Sequence, residues 1–563
     1  MRRRADPGDD DAAPLRVDRW WCWGPTTLPP GETGPTSSPV TVLQMVDGTR
    51  PDPADRGSPA LLVSACLLGR LCNHRGGASP RPAVEALADG FRLVPVCPEV
   101  DGGLPVPRPA AEITADGNVR TVDGDDVTAQ YRAGAEVAVS LARTNDVVGA
   151  VLKARSPSCG SAEVYDGTFT RELVRIPSVH DPARGLNEEP AAELVAAQMR
   201  AFGWQPRLDL VAPGRPNVIA VIEGDRPGPT LMFEGHTDVV TEGDPSVWSI
   251  PPFEGRIDLG PDGLETSGVL HGRGSADMKA GVAAAIAAVE AVRDVAPDLP
   301  GRIRLGIVAD EEGMMLGIKS FIANGWADEV TGAIVCEPEE NEICLFQKGA
   351  MRLHVRVYGV MSHGAMPYAG VSPLRGVADM VVALRDYEKR EQERIGEHQY
   401  LGWPWITPTI IQAPARGEAQ HNVVPDEAYM ALDIRTAPGQ DHDTIEAEIN
   451  RIARSLEAAT PRLRFEVECF ESRPWTATNP NDPLVAAVEA VYPEVLGTEP
   501  RYGGVPGATD GTFLWALKDI PIVTIGPGDR TIPHQVNEFV RLEDVVRSAR
   551  LYAATAILYL RAS

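Results

Sequence analysis

The chain has 563 residues, 43% hydrophobic and 23% charged, with a formal net charge of -26. Its length exceeds a single hydrophobic core and implies roughly three or four domains. The acidic balance excludes a general nucleic-acid or anionic-membrane surface, and no apolar run approaches the ~20 residues of a membrane span.

Residues 1–58 are expected to be disordered, because Pro, Gly, Asp, Ser and Thr dominate, as in Gly31-Glu-Thr-Gly-Pro-Thr-Ser-Ser-Pro39. Met1-Arg-Arg-Arg4 is followed by acidic residues from Asp6 to Asp11, where an export signal needs an apolar core, so a cytoplasmic protein is expected. The scattered cysteines then read as reduced thiols or metal ligands, not as a disulfide framework.

From residue 59 the texture changes. Ala60-Leu-Leu-Val-Ser-Ala65, Phe91-Arg-Leu-Val-Pro-Val96 and Val147-Val-Gly-Ala-Val-Leu152 read as strands, with a helical pattern from Asp126 to Leu141. Each strand runs into a cysteine-bearing loop, at Cys66, Cys97 and Cys159. Strand ends of an open α/β sheet converge on one crevice, where three thiolates can hold an iron–sulfur cluster with one iron left open. Three unrelated buried cysteines are the plainer alternative.

Cys66-Leu-Leu-Gly69, Cys97-Pro-Glu-Val100 with Gly102-Gly-Leu-Pro-Val-Pro-Arg108, and Ser156-Pro-Ser-Cys-Gly160 resemble the small domain typified by thiouracil desulfurase. The resemblance implies that Cys66, Cys97 and Cys159 carry a 4Fe-4S cluster whose free iron accepts sulfur from a thiolated base. It leaves Cys72 unassigned. It spans residues 59–169 and then stops, so the domain is expected to be truncated.

The second unit begins near residue 170, with a helix from Glu188 to Phe202 and strands around Val218 and Leu231. Leu231-Met-Phe-Glu-Gly-His-Thr-Asp238 ends a buried strand with His236 and Asp238 two residues apart, and so on one side of an extended backbone. A carboxylate beside a histidine can fix the ring for metal binding; alone, the pair reads equally well as a solvated strand end. Asp277 stands just before an alanine-rich helix, Val282 to Asp294, where a plain N-cap is the simpler role. Further strand ends carry Glu311 and Glu312, then Glu337, and a late loop returns His534. Acidic groups crowded on one rim repel unless cations neutralise them. Two divalent metals suit this donor set, and a carboxylate held off the metal can do acid–base work.

His236-Thr-Asp238, Asp277, Asp310-Glu-Glu312, Glu337-Pro338 and His534 resemble, in order, the metallopeptidase family of acetylornithine deacetylase, succinyl-diaminopimelate desuccinylase, aminoacylase and glutamate carboxypeptidase. The resemblance implies two Zn2+ ions, with Co2+ as a substitute. Asp277 would bridge them, with His236 and Glu337 on one and Glu312 and His534 on the other. Glu311 would be the general acid/base and Asp238 would orient His236. A cis peptide is expected at Asp277-Met278.

Residues 348–468 alternate strands and helices in the order βαββαβ, a ferredoxin-like pattern. In the family such a lid dimerises, and His363 of Ser362-His-Gly364 would reach across the dimer to an oxyanion. Asn422 and Arg435 resemble substrate-carboxylate contacts, and Gly507 lies in the glycine-rich stretch resembling the substrate loop.

The expected fold is therefore α/β. A small N-terminal α/β domain precedes a zinc-peptidase α/β catalytic domain, in two parts (170–347 and 469–563), with an inserted ferredoxin-like α+β lid. The expected function is a metal-dependent hydrolase that cleaves the amide of an N-acyl amino acid bearing a free carboxylate. A carboxypeptidase or dipeptidase is the second reading. A non-catalytic small-molecule-binding protein is the third, and the complete ligand set speaks against it. The expected partners are a small-molecule substrate and a second copy of the chain, with neither nucleic acid nor membrane.

Overall fold

The computed structural model describes residues 40–44, residues 59–153 apart from 74–76, 79–83, 85, 110, 114–118, 122–123 and 146, and residues 168–562 apart from 262–264. Two compact units result, Met1–Val164 and Tyr165–Ser563.

In the first unit β1 (Val40–Gln44), β2 (Ala60–Ser64), β3 (Arg92–Val96) and β4 (Val147–Lys153) form one sheet in the order β1-β4-β2-β3. Strands β2, β3 and β4 are parallel, and α1 (Thr128–Thr144) supplies the crossover before β4. β1 corrects the expectation of disorder for its own five residues: it pairs antiparallel with β4. The β-branched run Val40-Thr-Val42 suits a strand, although Pro- and Ser-rich neighbours mask it in the sequence. The other residues read as disordered lie outside the described ones.

The second unit is organised around a nine-stranded mixed sheet. After α2 (Glu189–Ala201) come β5 (Arg207–Ala212), β6 (Arg215–Glu223) and β7 (Arg226–His236). The alanine-rich α3 (Ala280–Val295) follows, then β8 (Pro300–Val308), β9 (Gly332–Val335) and β10 (Ile343–Gln347). Residues Thr230 to His236 of β7 are all buried, as befits a central parallel strand covered on both faces. β7 lies between β8 and β9, parallel to both, so their C-terminal ends open on one side.

The chain then leaves for the lid: β11 (Gly349–Tyr358), β12 (Ser362–His363), α4 (Pro373–Ile395), β13 (Trp405–Gln412), β14 (Val423–Val424), β15 (Glu427–Thr436), α5 (His442–Ala459) and β16 (Arg464–Arg473). Its sheet runs β13-β15-β11-β16, all antiparallel, which is the ferredoxin-like order. Met351, Leu353, Val355 and Val357 of β11 and Met430, Leu432 and Ile434 of β15 bury their side chains with residues of α4 and α5. The alternate residues form a polar face without helices.

Back in the sheet, β17 (Thr476–Ala477), β18 (Tyr502–Val505) and β19 (Ile522–Thr524) complete the order β17-β10-β19-β9-β7-β8-β6-β5, with β18 also on β10. α6 (Gly511–Lys518) precedes β19, and α7 (Leu542–Arg561) packs along α3. α3 is buried nearly all round, and its alanines let it seat closely between sheet and helix. No described helix is long and apolar enough to cross a membrane.

Candidate metal centre

The ends of β7, β8 and β9, the turn before α3 and the loop before α7 meet at one place. His236 is the last residue of β7 and is buried. Its Nδ1 lies 2.9 Å from the carbonyl oxygen of Asp238 and 3.5 Å from that residue's Oδ1. The backbone is thus the closer orienting partner, and Nε2 is left facing the other ligands. Asp277 sits where the backbone leaves helical geometry just ahead of α3, and the Asp277–Met278 peptide is cis.

The two oxygens of Asp277 divide between two imidazoles. Oδ1 is 3.2 Å from His236 Nε2, and Oδ2 is 3.3 Å from His534 Nε2. His236 Nε2 also stands 3.8 Å from Glu337 Oε1, while His534 Nε2 stands 3.0 Å from Glu312 Oε1. Two donor groups follow, His236–Asp277–Glu337 and Asp277–Glu312–His534, each with one ligand atom per residue within 4.8 Å of the rest. Glu311 joins His236 and Glu312 in a third such group. Imidazole and carboxylate donors at this spacing fit divalent cations of the zinc type, with Asp277 common to two of them.

The charges agree with that fit. Burial pushes the Glu311 and Glu337 carboxyls well up, with Glu312 adding at Glu311 and Asp277 at Glu337, a conflict that cations relieve. Burial would also raise Asp277, but hydrogen bonds to His236 and His534 win and hold it low. Hydrogen bonds to Asp277 and Glu312 push the His534 ring up to about 10.

The Glu311–Glu312 turn is fixed from several sides. Asp238 Oδ1 accepts the Glu311 N–H at 3.2 Å, and its Oδ2 accepts the Glu312 N–H at 3.0 Å. Asp310 takes a left-handed φ of 68°. Its Oδ2 accepts the N–H groups of Met314 and Leu316 at 3.1 and 3.2 Å, and its Oδ1 pairs with Arg215 at 2.6 Å.

Three buried carboxylates escaped the sequence reading. Glu538 accepts the N–H of Ala276 at 2.9 Å and of Asp277 at 3.2 Å, and pairs with Arg273 at 2.6 Å, so it holds the Asp277 turn. Glu234 and Asp510 lie fully inside. Burial pushes Glu234 up to about 8, and burial and then Glu234 push Asp510 well up. Glu234 falls within the strand end Leu231–Asp238 and Asp510 follows the glycine-rich stretch around Gly507, but a lone acid at such a place carries no spacing signal.

The expected substrate residues make no hydrogen bond or ion pair to this cluster among the described residues. His363 and Asn422 are exposed neighbours on the β12–β14 ribbon, where the Asn422 carbonyl accepts the Gly364 N–H at 2.6 Å and His363 Nδ1 accepts the Ala365 N–H at 3.0 Å. Neither makes a hydrogen bond or ion pair to the metal-ligand cluster among the described residues. Arg435 is engaged by Asp433 of its own strand, Nε to Oδ1 at 2.7 Å. Gly507 borders open space. In the first unit, Cys66 follows β2 and Cys97 follows β3, both buried in one apolar cluster with Cys72. The Cys97 thiol donates to the Cys72 carbonyl at 3.6 Å, and Cys159 lies outside the described residues.

Residues 232–557 match the model of peptidase family M20/M25/M40. The chain belongs to that family. Residues 61–179 match the family of 2-thiouracil desulfurase, ten residues beyond the span that the cysteine motifs suggest. Among curated M20 relatives, the succinyl-diaminopimelate desuccinylase of Caulobacter vibrioides is 30% identical over 422 residues, 72% of this chain and 99% of that protein. A probable succinyl-diaminopimelate desuccinylase of Staphylococcus epidermidis is 25% identical over 394 residues, 66% of this chain and 91% of that protein. A metallo-carboxypeptidase from Sulfolobus solfataricus shares the fold with a TM-score of 0.57 at 18% identity, covering 71% of this chain and all of that one. A dipeptidase of Saccharomyces cerevisiae does so with a TM-score of 0.55 at 15% identity, covering 70% of this chain and 95% of that one. This M20 protein is thus a metallohydrolase acting on amide C–N bonds.

Proposed function

We propose that the chain removes the acyl group from an N-acyl amino acid that carries a free carboxylate, in the manner of a desuccinylase. The observation that carries this reading is the split of the Asp277 carboxylate between the His236 and His534 sides, with Glu311 beside both groups as a spare buried carboxylate. His236, Asp277 and Glu337 would hold one zinc ion, and Asp277, Glu312 and His534 the other. Bound there, the ions supply Lewis-acid polarisation of the amide carbonyl and a lowered pKa for water.

The chain's own residues do the rest. Glu311 takes a proton from water as its oxygen forms the new bond to the carbonyl carbon. The C–N bond then breaks, and Glu311 passes that proton to the leaving nitrogen. Asp238 keeps Glu311 and Glu312 in register through their N–H groups and stands behind His236. His363, exposed and not bonded to the cluster of its own chain, serves an oxyanion across a dimer formed by the lid, whose edge strand β13 presents Trp405, Ile410 and Ile411 to solvent. Asn422, Arg435 and the Gly507 loop receive the substrate carboxylate. In the first unit, Cys66 and Cys97, with Cys159 from the matching sequence motif, would hold a 4Fe-4S cluster.

The desuccinylase relatives favour an acidic acyl group. The test is a panel of N-succinyl amino acids, N-acetyl amino acids and dipeptides, assayed with zinc and with cobalt. Preference for the N-succinyl compounds by kcat/KM supports the proposal. Preference for dipeptides moves the function to a dipeptidase on the same site, and no turnover of any amide rejects it.

A further inference from the structure

Arg473 is the last residue of β16, almost completely buried, and nothing in the chemistry above uses it. Its Nη2 donates to the carbonyl oxygen of Gly313 at 2.6 Å. Gly313 closes the turn that carries Glu311 and Glu312. A lid side chain is thus bonded directly to the backbone that positions the catalytic carboxylate.

Arg473 does not act alone. Its Nε pairs with Glu471, which is itself buried. Glu471 Oε2 accepts from Arg352 Nη1 at 2.5 Å, Arg352 Nε stands 3.7 Å from Asp433, and Asp433 Oδ1 accepts from Arg435 Nε at 2.7 Å. Five alternating charges, Arg435–Asp433–Arg352–Glu471–Arg473, therefore cross β15, β11 and β16 on the helix-free face. The register produces this: Arg352 lies opposite Asp433 on one side and Glu471 on the other. Opposite charges directly across antiparallel strands attract, and the Glu471–Arg473 end of the ladder is buried, where paired groups strengthen one another. Immediately beyond Arg473 the chain is pinned to the catalytic side, where Thr512 donates to the Pro474 carbonyl and the Trp475 and Trp515 rings stand 5.0 Å apart.

We propose that Arg473 is a positioning residue that ties the lid to the Glu311–Glu312 turn, as the terminal member of this charge ladder. The ladder begins at Arg435, so a substrate carboxylate drawing on Arg435 at the lid would bear on the turn that holds the acid/base. The effect on turnover rests on the hydrolase reading above, but the tie itself does not.

The experiment is hydrogen exchange of the Glu311, Glu312 and Met314 amides in the metal-free full-length protein, followed by steady-state kinetics of the zinc-loaded enzyme. Arg473→Met should speed exchange of these amides about tenfold while leaving β8 and β11 unchanged. It should lower kcat by about tenfold to a hundredfold with little change in KM, since misplacement of a reacting group acts on the chemical step. Arg473→Lys, which keeps a donor for Gly313, should recover most of both losses. Arg352→Gln, a partly exposed site that tolerates exchange of its head group, should loosen the same amides by a smaller factor in the same direction. Unchanged exchange in the Arg473→Met turn overturns the proposal. So does loosening spread equally over β8, which would mark general destabilisation. A wild-type protein that hydrolyses no amide, yet whose turn loosens on Arg473→Met, refutes the hydrolase reading and leaves the tie standing.

Discussion

Glu311 and Glu312 are chemically identical neighbours, and their surroundings separate them. Glu312 faces His534 at 3.0 Å, whereas Glu311 has no imidazole at hydrogen-bond distance among the described residues. Glu311→Gln should therefore keep both zinc ions while kcat falls by about 10²–10⁴-fold, the usual worth of a general acid/base. Metal content by atomic absorption and kcat on the same sample decide it, and full activity would remove Glu311 from the role. A second residue-scale consequence concerns protons. With hydrogen bonds to Asp277 and Glu312 pushing His534 to about 10, the ring is protonated at neutral pH in the metal-free protein. That ion pairing stabilises the fold fully below the ordinary histidine pKa of 6.5 and is lost as pH rises through about 10. Zinc needs the neutral ring, so loading at pH 7 must expel the proton. Apparent affinity should climb with pH toward about 10, by up to about tenfold per unit for each proton released. Calorimetry in two buffers of different ionisation heat measures the release, and zinc uptake without it would contradict the pairing. At this scale the clustered donors were legible where a strand ends in them, as at His236, Glu311, Glu312 and Glu337, whereas Asp277 before its helix and His534 in its loop stood out only through the motif order. Glu538 was not, because it is bonded to Ala276 and Asp277, some 260 residues earlier in sequence.

The site is built by elements whose ends meet, so the packing of α3 matters as much as the ligands. Gly281, in its first turn, lies against the carbonyl oxygen of Cys336, the residue before Glu337, and an added Cβ would sit 2.0 Å from that oxygen. Gly281→Ala gains about 1 kcal/mol of helix propensity in principle. Here the overlap with backbone should cost more, about 1–3 kcal/mol, because neither partner is a flexible side chain. The expected result is a lower Tm and weaker retention of the ion proposed at Glu337, read by thermal unfolding with and without zinc. A raised Tm would mean that helix and strand are not in this contact. Element reading succeeded where periodicity is clean: β15 alternates throughout and β11 does so from Met351 onward. It failed at β16, expected to end at Glu468 but running to Arg473. A bulge there shifts the register between Arg352 and Leu353, moving Glu471 and Arg473 off the core-facing set that Phe465, Val467 and Cys469 follow. Alternation cannot reveal a strand that changes face, and the residues hidden by that bulge are the ones that reach the Glu311–Glu312 turn.

For the whole molecule, two candidate sites share one chain but no residues. The donor set near Asp277 lies wholly in Tyr165–Ser563, and the cysteines of the first core lie wholly in Met1–Val164. The division was legible because apolar strands followed by cysteines give way to strands followed by acids and histidines. The pairing of β1 with β4 was not, because more than a hundred residues separate partners that no local pattern links. Separate cores with separate ligands should fail separately. Cys97→Ser should abolish the brown chromophore and iron expected of anaerobically reconstituted protein while leaving zinc content and amide hydrolysis within about twofold of the parent, since changes at sites that share no partner residues are additive. Glu311→Gln should do the reverse, keeping the chromophore and losing hydrolysis. Iron content, visible absorption and kcat measured on both variants and on the double variant complete the cycle. Loss of hydrolysis in Cys97→Ser, with zinc still bound and the second unit still folded, would show that the two units work as one.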